Sequence, residues 1–381
     1  MSTQQDESES VTTLASAAHK NGEIRSIQYL RGIAAVAVAY FHTGVNCANL
    51  AWPAYVTRDF GKAGVDIFFV ISGFIMVFVT SSKETSPREF LLRRIIRIVP
   101  LYWFFTCLVT CAGLFYPAAM LNNEIVWPHI FVSLFFIPHT NPITGTTDPF
   151  FKLGWTLNYE MYFYAVFARL LFIRPISRRL MVMALWAGAA ALLFVLVKPQ
   201  QAIPIVYTNP IILEFVMGAF IGFAYLNGYL SRFNPKLSLL LVVVCAATII
   251  LTRFSDEAEF VYRSVGRPVV YGIPAAMIVL GLLAFETAGK LKELTWLMLI
   301  GDASYSIYLS HTTTLTLFRV TTTMLRVPVQ IPLVGAALVV AAIISAVLAG
   351  ILVYRFIELP LTSWLKGLAH RPRTPASQLT P

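Results

Sequence analysis

Long apolar segments follow one another along most of the chain, separated by short polar connections. A segment of about 17–25 apolar residues is long enough to cross a bilayer as a helix. Ten such segments occur, at residues 27–45, 63–80, 98–116, 155–173, 179–197, 209–226, 236–251, 266–285, 296–318 and 331–356. An eleventh, from Trp127 to Pro138, is too short to cross and is predicted to be interfacial or re-entrant. The pattern predicts an all-α polytopic membrane protein with about ten transmembrane helices.

Composition and charge support this interpretation. Hydrophobic residues make up 57% of the 381 residues and charged residues 13%, whereas soluble chains carry about 45–50% and about 25%. With ten spans and a cytoplasmic N-terminus, 20 of the 29 Lys and Arg residues fall on the cytoplasmic side, as the positive-inside rule requires. Both termini are therefore predicted to be cytoplasmic. The net charge of +10 is explained by this bias and by the binding of an anionic ligand on the same face. No nucleic-acid partner is therefore predicted.

The ends of the chain differ from its apolar body. Residues 1–26 are polar and lack the apolar region of a signal peptide, so they are predicted to form a disordered cytoplasmic arm. Residues 27–366 form the predicted transmembrane domain, and the Pro-rich residues 367–381 a disordered cytoplasmic tail. The sequence has no zinc-ligand spacing and no phosphate-binding loop, so neither a metal site nor an ATP-driven pump is predicted.

Ionisable residues interrupt five of the apolar segments. Counted at about 1.5 Å per helical residue, they all fall in the outer half of the bilayer: His42, Asp66, Glu160, Glu214 and His311. Such residues are costly in hydrocarbon and indicate a functional site, although interhelical hydrogen bonds are the alternative explanation. A histidine oriented by a carboxylate can act as a general base. Because no Ser or Cys nucleophile lies in a recognisable motif, direct attack by an acceptor hydroxyl is favoured.

Arginines mark the opposite, cytoplasmic face. Arg94 and Arg97 lie one helical turn apart beside Arg93, and guanidinium groups suit phosphates. A cluster that only fixes membrane orientation is an equally good explanation. Arg31 lies inside the first apolar segment and must either extend its charge to the interface or bind a ligand. At the end of the tenth segment, Arg355 and Glu358 are predicted to pair and brace the helix.

Seven short motifs occur in order along the chain. They are Arg31 with His42, Gly61–Phe74, Arg94–Pro100, Trp155–Tyr164, Glu214–Gly218, Ser304–His311 and Arg355–Pro360. Together they resemble the acyltransferase-3 family of integral membrane O-acyltransferases over residues 24–366, and most closely its subgroup acting on exopolysaccharides. Trp155-Thr156 departs from the Trp-Ser that is commoner in the family.

The resemblance implies a bacterial inner-membrane enzyme. It would transfer an acetyl or other short acyl group from cytoplasmic acetyl-CoA to a sugar hydroxyl of a surface polysaccharide or lipid-linked oligosaccharide. Acetyl-CoA would be a substrate and not a resident cofactor. The implied roles are catalysis for His42 and Asp66, donor binding for Arg31, Arg94 and Arg97, and substrate binding or support for Glu160, Glu214, Tyr305 and His311. The alternative function is a transporter or flippase, which intramembrane carboxylates and a basic entrance also suit.

Overall fold

The structure, a computed structural model, describes residues 24–47, 59–81, 85–115, 124–252, 260–329 and 331–369. The regular structure in these ranges is helical, which confirms the all-α prediction. The α-helices are α1 (Arg25–Cys47), α2 (Ala63–Ser81), α3 (Pro87–Phe115), α4 (Trp127–Leu134), α5 (Gly154–Leu170), α6 (Ile176–Val197), α7 (Ala202–Thr208), α8 (Ile212–Leu226), α9 (Pro235–Leu251), α10 (Phe260–Arg267), α11 (Ile273–Thr287), α12 (Thr295–Asp302), α13 (Ser304–Met324), α14 (Pro332–Val353) and α15 (Leu359–Ala369).

All ten predicted apolar segments contain helix, but their boundaries differ from the predicted ones. Six helical stretches of the described chain are long and apolar enough to cross a membrane: 59–81, 87–115, 176–197, 202–226, 264–287 and 332–369. The segment predicted at 296–318 is broken between Asp302 and Ser304. The protein is thus a multi-pass membrane protein, while the count of ten and the orientation of the termini stay predictions.

The short segment after Glu124 forms helix α4, which has eight residues and is only about 12 Å long. It is therefore too short to cross a bilayer. The predicted terminal arm and tail lie outside the described residues, apart from their inner ends, where α1 begins at Arg25 and α15 ends at Ala369.

Helices α2 and α8 run parallel and in close contact at the centre of the bundle. A Cβ atom on Gly73 would lie 1.9 Å from the carbonyl oxygen of Phe215, and one on Gly218 would lie 1.8 Å from that of Val70. Only glycine fits at these two positions. Small residues allow the backbones of membrane helices to approach in this way. The contact brings Asp66, near the start of α2, beside Glu214, near the start of α8.

Helix α1 packs on both α2 and α13. It runs antiparallel to α2, with the position of a Cβ on Gly64 only 2.5 Å from the carbonyl oxygen of Ala34. A separate face of α1, which includes Ala35, packs against Ala303 and Ile307 at the start of α13. Arg31 and His42 are eleven residues apart, which is three helical turns, so both lie near this second face and are separated by about 16 Å.

Candidate active site

A cavity of about 80 Å³ lies between α1, α2, α3, α5 and α13. One end, the arginine end, holds Arg31, Arg94 and Arg97, and the walls include Phe68, Leu157 and Tyr308. The two histidines lie beyond Tyr308, whose ring centroid is 6.0 Å from that of His311. We call the end of the bundle that contains His42 and His311 the histidine end. The predicted donor-binding and catalytic regions therefore lie at the two ends of one group of helices.

Arg94 faces the cavity, whereas its neighbour Arg93 does not. The Arg94 guanidinium lies between the rings of Phe90 and Tyr164, at 5.6 and 5.7 Å, and its buried Nε atom has no hydrogen-bond partner within the described part of the chain. Arg93 instead donates to Glu89 at 2.5 Å on the exposed surface. Because consecutive residues of a helix point about 100° apart, two adjacent arginines have different environments.

Arg31 and Glu358 lie at the bottom of the arginine end. The Arg31 guanidinium donates to the side chain of Gln28 at 2.8 Å, and both Arg97 and Glu358 lie within its electrostatic range. Glu358 accepts a 2.6 Å hydrogen bond from Ser306. The expected pairing of Glu358 with Arg355 is wrong, because residues 354–358 form a π-helical turn, which changes the helical register and directs Glu358 towards α13.

Tyr305 also lines the arginine end. Its hydroxyl donates to the carbonyl oxygen of Ile98 at 2.7 Å. Ile98 lies two residues before Pro100, which is inside α3. A proline inside a helix leaves the carbonyl four residues earlier without its usual N–H donor. In α3 that carbonyl belongs to Ile96, two residues before the carbonyl that Tyr305 contacts. Tyr305 therefore joins α13 to the irregular part of α3, consistent with the supporting role predicted for it.

Glu160 lies with the arginines and not at the histidine end. Its carboxylate accepts hydrogen bonds from the hydroxyls of Tyr164 and of Ser72, the latter at 3.2 Å. Ser72 is six residues beyond Asp66 on α2, or about 9 Å along the axis. The prediction that Glu160 lies at the same depth as Asp66 is wrong, because α5 begins inside the bundle. The ring of Trp155, near the start of α5, already contacts Arg267 at 5.7 Å.

His42 and His311 face each other at the histidine end. Their ring centroids are 4.9 Å apart. Nδ1 of His42 lies 3.0 Å from the carbonyl oxygen of Val38, and Nδ1 of His311 lies 3.2 Å from that of Ile307. His311 is fully buried, and its Nε2 has no hydrogen-bond partner among the described residues.

Asp66 is bonded to Arg267, a residue that the sequence did not single out. The guanidinium donates to both carboxylate oxygens, at 3.0 and 2.9 Å, and also to the carbonyl oxygen of Lys62. Asp66 is fully buried, and the buried Glu214 carboxyl lies within electrostatic range of both partners. One signal in the sequence could have revealed Arg267: two intramembrane carboxylates need a cation, and Arg267 lies at the start of a neighbouring apolar segment.

The predicted direct pair of His42 and Asp66 is not formed. His42 faces His311 instead, and Asp66 is bonded to Arg267. The face of α1 that contacts α2 contains Ala34, Ala37 and Phe41, whose neighbours are Gly61 and Gly64. His42 lies about a quarter of a turn from the centre of this face, and it points towards α13. Sequence reasoning placed His42 and Asp66 at one level, but Gly61 packs on Ala37 and Gly64 on Ala34, so Asp66 lies opposite an earlier part of α1 than His42. Sequence reasoning also could not give the direction of His42 around the helix axis.

These features define a multi-pass membrane protein with an arginine-lined cavity and a pair of facing histidines. Residues 24–355 match the acyltransferase-3 family model, described as an acyltransferase domain, and the chain belongs to this family. It is 38% identical over 317 residues to the exopolysaccharide production protein ExoZ of Rhizobium meliloti (strain 1021), covering 82% of this chain and 92% of ExoZ. The predicted family and the predicted acyltransferase activity are confirmed.

More distant relatives are longer than this chain. The peptidoglycan O-acetyltransferase OatA of Listeria monocytogenes is 27% identical, with 89% of this chain and 56% of OatA covered. O-acetyltransferase OatA of Staphylococcus aureus (strain NCTC 8325 / PS 47) is 22% identical, with 90% and 58% covered. The chain thus spans somewhat more than half of each OatA protein. No solved structure matches the chain.

Proposed function

We propose that this protein transfers an acetyl or other short acyl group from cytoplasmic acyl-CoA to a sugar hydroxyl of a cell-surface polysaccharide or its lipid-linked precursor, in the bacterial inner membrane. One observation carries the proposal: three arginines line one end of a cavity, and Tyr308 in its wall lies 6.0 Å from the ring of His311, which faces His42. The names of ExoZ and OatA support a polysaccharide acceptor and an acetyl group.

The arginine end suits the donor nucleotide. Arg31, Arg94 and Arg97 are matched in number by three nearby carboxylates, those of Glu160, Asp302 and Glu358, so the fit to the donor rests on the guanidinium groups themselves and not on a net positive charge. Guanidinium groups bind phosphate oxygens through paired hydrogen bonds. Nε of Arg94 has no hydrogen-bond partner among the residues that the structure describes, which leaves a donor for this contact.

The distance between the two ends suits the shape of acyl-CoA. Arg31 and His42 are separated by about 16 Å along α1, and the pantetheine arm is a long, narrow chain with an amide at two points. Apolar side chains line this route, among them Phe68, Leu157 and Tyr308. With the phosphates held by the arginines, the thioester would be directed towards the histidine end.

His42 acts as the general base in the proposed reaction. A carbonyl oxygen only accepts hydrogen bonds, so the contact to Val38 holds the proton on Nδ1 and makes Nε2 the basic nitrogen of the neutral ring. Nε2 takes the proton of the acceptor hydroxyl while the oxygen attacks the thioester carbonyl, and the C–S bond then breaks. Asp66 contributes by holding Arg267 in place. Glu160, Glu214 and Tyr305 support the helices around the substrates.

The test is release of free CoA by purified protein supplied with acetyl-CoA and an acceptor oligosaccharide. His42→Ala should lower the rate by at least about a hundredfold, the usual scale for loss of a general base. Thr43→Ala is the matched control, since Thr43 is the next residue on α1 and its side chain, like that of His42, is bonded to the carbonyl four residues earlier; this variant should stay near wild type. Near wild-type turnover in His42→Ala would exclude the assignment. A transporter would move the acceptor without releasing CoA.

The same proposal predicts a change in the cell. Deleting the gene should remove ester groups from the surface polysaccharide, as measured by NMR, and the wild-type gene but not His42→Ala should restore them. A polysaccharide with unchanged ester content would exclude it as the acceptor.

A further inference from the structure

We propose that Phe68 and Tyr308 determine the length of the acyl group, so that the donor is acetyl-CoA and not a longer acyl-CoA. This inference rests on the proposed function and identifies the donor within it. The two aromatic rings form an apolar wall against which the end of the acyl chain lies. We call this pair of side chains the acyl wall.

Phe68 is a position at which α2 borders the cavity. Between Ala63 and Phe74, it is the one residue of α2 that is only partly buried. Because its neighbours in this range are buried and Phe68 itself lines the cavity, the exposed part of its ring faces the cavity. An aromatic side chain that served only to pack the helices together would not need to border open space.

The ring of Tyr308 contacts Phe68 on the side of the cavity nearest the histidines. The two ring centroids are 6.0 Å apart, with an angle of 69° between the ring planes, which is the edge-to-face arrangement that aromatic pairs favour. The Tyr308 ring is also 6.0 Å from that of His311. Rings in contact leave no space for a chain between them, so an acyl group directed towards the histidines ends at this pair.

Hydrogen bonds hold Tyr308 in place. Its hydroxyl lies 2.8 Å from that of Thr156 and donates to the carbonyl oxygen of Leu153 at 3.2 Å. Both partners are buried at the start of α5. A wall that limits the length of a substrate must not move when a longer chain presses on it. Here two buried hydrogen bonds would have to break before the Tyr308 ring could move away.

Phe68 is supported by the contact between α1 and α13. Its side chain packs against Ala35, Ala303 and Ile307, and these three residues are fully buried. A closely packed interior does not accept an extra methylene group without strain. Both rings of the acyl wall are therefore held from behind, and a longer acyl chain would have to displace packed side chains.

The test measures the release of free CoA from acetyl-, propionyl- and butyryl-CoA by inverted membrane vesicles. The vesicles come from the deletion strain carrying each variant, so they contain the acceptors of the cell and expose the cytoplasmic face to the donor. Vesicles without the protein supply the blank.

Phe68→Ala removes one ring of the acyl wall. Ile75→Ala is the matched control, because Ile75 also lines the cavity from α2 and is also partly buried. It lies two helical turns from Phe68, or about 10 Å along the axis, and so away from the acyl wall.

In the wild type, kcat/KM for butyryl-CoA should be at least about tenfold below that for acetyl-CoA, since one methylene group in an apolar pocket changes this value by about 10–200-fold. Phe68→Ala should raise the butyryl-to-acetyl ratio by at least about tenfold, with propionyl-CoA between the two, and Ile75→Ala should keep the wild-type ratio. The ratio of two donors in one sample does not depend on the fraction of folded protein. If Phe68→Ala does not insert into the membrane, Phe68→Leu should still raise the ratio by more than Ile75→Ala does.

A wild-type ratio of one or more would overturn the acyl wall, and so would an equal change, or no change, of the ratio in the Phe68 and Ile75 variants. Each of these results would leave the proposed function intact. Wild-type vesicles that release no more CoA than the blank from any of the three donors would instead overturn the proposed function itself.

Discussion

The buried ion pair between Asp66 and Arg267 makes a quantitative prediction about stability. Asp66 is fully buried and Arg267 is 21% exposed. Removing one partner of such a pair leaves an unbalanced charge in a medium of low dielectric constant, which typically costs about 3–5 kcal/mol. This is a large part of the total stability of about 5–15 kcal/mol that is typical of a folded protein.

A surface ion pair in the same protein supplies the matched control. Arg93 and Glu89 are joined at 2.5 Å, but their side chains are 53% and 44% exposed. Exposed pairs contribute about 0–1 kcal/mol, so Arg93→Met should have little effect. The free energy of unfolding of each variant can be measured in mixed micelles by titration with a denaturing detergent. Arg267→Met should be destabilised by at least about 2 kcal/mol more than Arg93→Met.

The double variant Asp66→Asn with Arg267→Met separates charge from packing. Because it contains no uncompensated ion, it should be more stable than Arg267→Met alone. If Arg267→Met is no less stable than Arg93→Met, the ion pair does not hold the helices together as argued. If Asp66→Asn keeps full stability but loses turnover as severely as His42→Ala, Asp66 acts directly on the histidine and not through Arg267.

Three further changes test other parts of the molecule. Arg94→Ala should raise the apparent KM for acetyl-CoA by about tenfold at low salt and by less at high salt, whereas Arg93→Ala should leave it unchanged; equal effects would contradict a specific phosphate contact. Glu358→Gln should keep the hydrogen bond to Ser306 and remove a negative charge from the donor site, so titration calorimetry should give tighter CoA binding, and weaker binding would refute this. Burial and the neighbouring His139 lower the pKa of His129 in α4 to about 4 from 6.5, so between these pH values the unfolded segment binds a proton more readily and acid destabilises the folded segment. Hydrogen-exchange protection factors over residues 127–153, which are corrected for the intrinsic pH dependence of amide exchange, should fall from pH 7 to pH 5, and they should not in His129→Phe.

Spacing within one helix was sufficient to predict part of the site. Eleven residues make three helical turns, so Arg31 and His42 lie near one face of α1 whatever surrounds it. The sequence also identified Glu214 and Asp66 as equally deep, because α2 and α8 begin at the same level and run parallel. These relations depend only on helix geometry and on where each helix begins.

Relations between helices were harder to predict. A helix that is apolar on all sides gives no pattern from which to tell its neighbours, so the sequence could not show that His42 faces α13 while Asp66 faces Arg267. Glu160 was misplaced for a different reason. Its depth was counted from the assumed membrane surface, but buried residues such as Phe150 and Leu153 carry the chain into the bundle before α5 begins.

The environment of Arg94 also distinguishes a ligand site from a topology signal. An arginine that only fixes orientation gains nothing from burial, and Arg93 shows the exposed, ion-paired state that such a residue adopts. Arg94 instead lies between two aromatic rings, and its buried Nε has no hydrogen-bond partner in the part of the chain that the structure describes. A bound anion would offset this cost.

Binding of CoA should therefore stabilise the folded protein, since a ligand that binds only the native state at a hundred times its Kd adds about 2.7 kcal/mol. Thermal unfolding in detergent should shift upward with CoA for the wild type but much less for Arg94→Ala, and Arg93→Ala should behave like the wild type. Pantetheine, which lacks the nucleotide phosphates, separates the phosphate contact from binding of the arm and should give a small shift in all three proteins. An equal shift with CoA in wild type and Arg94→Ala would mean that Arg94 does not contact the donor.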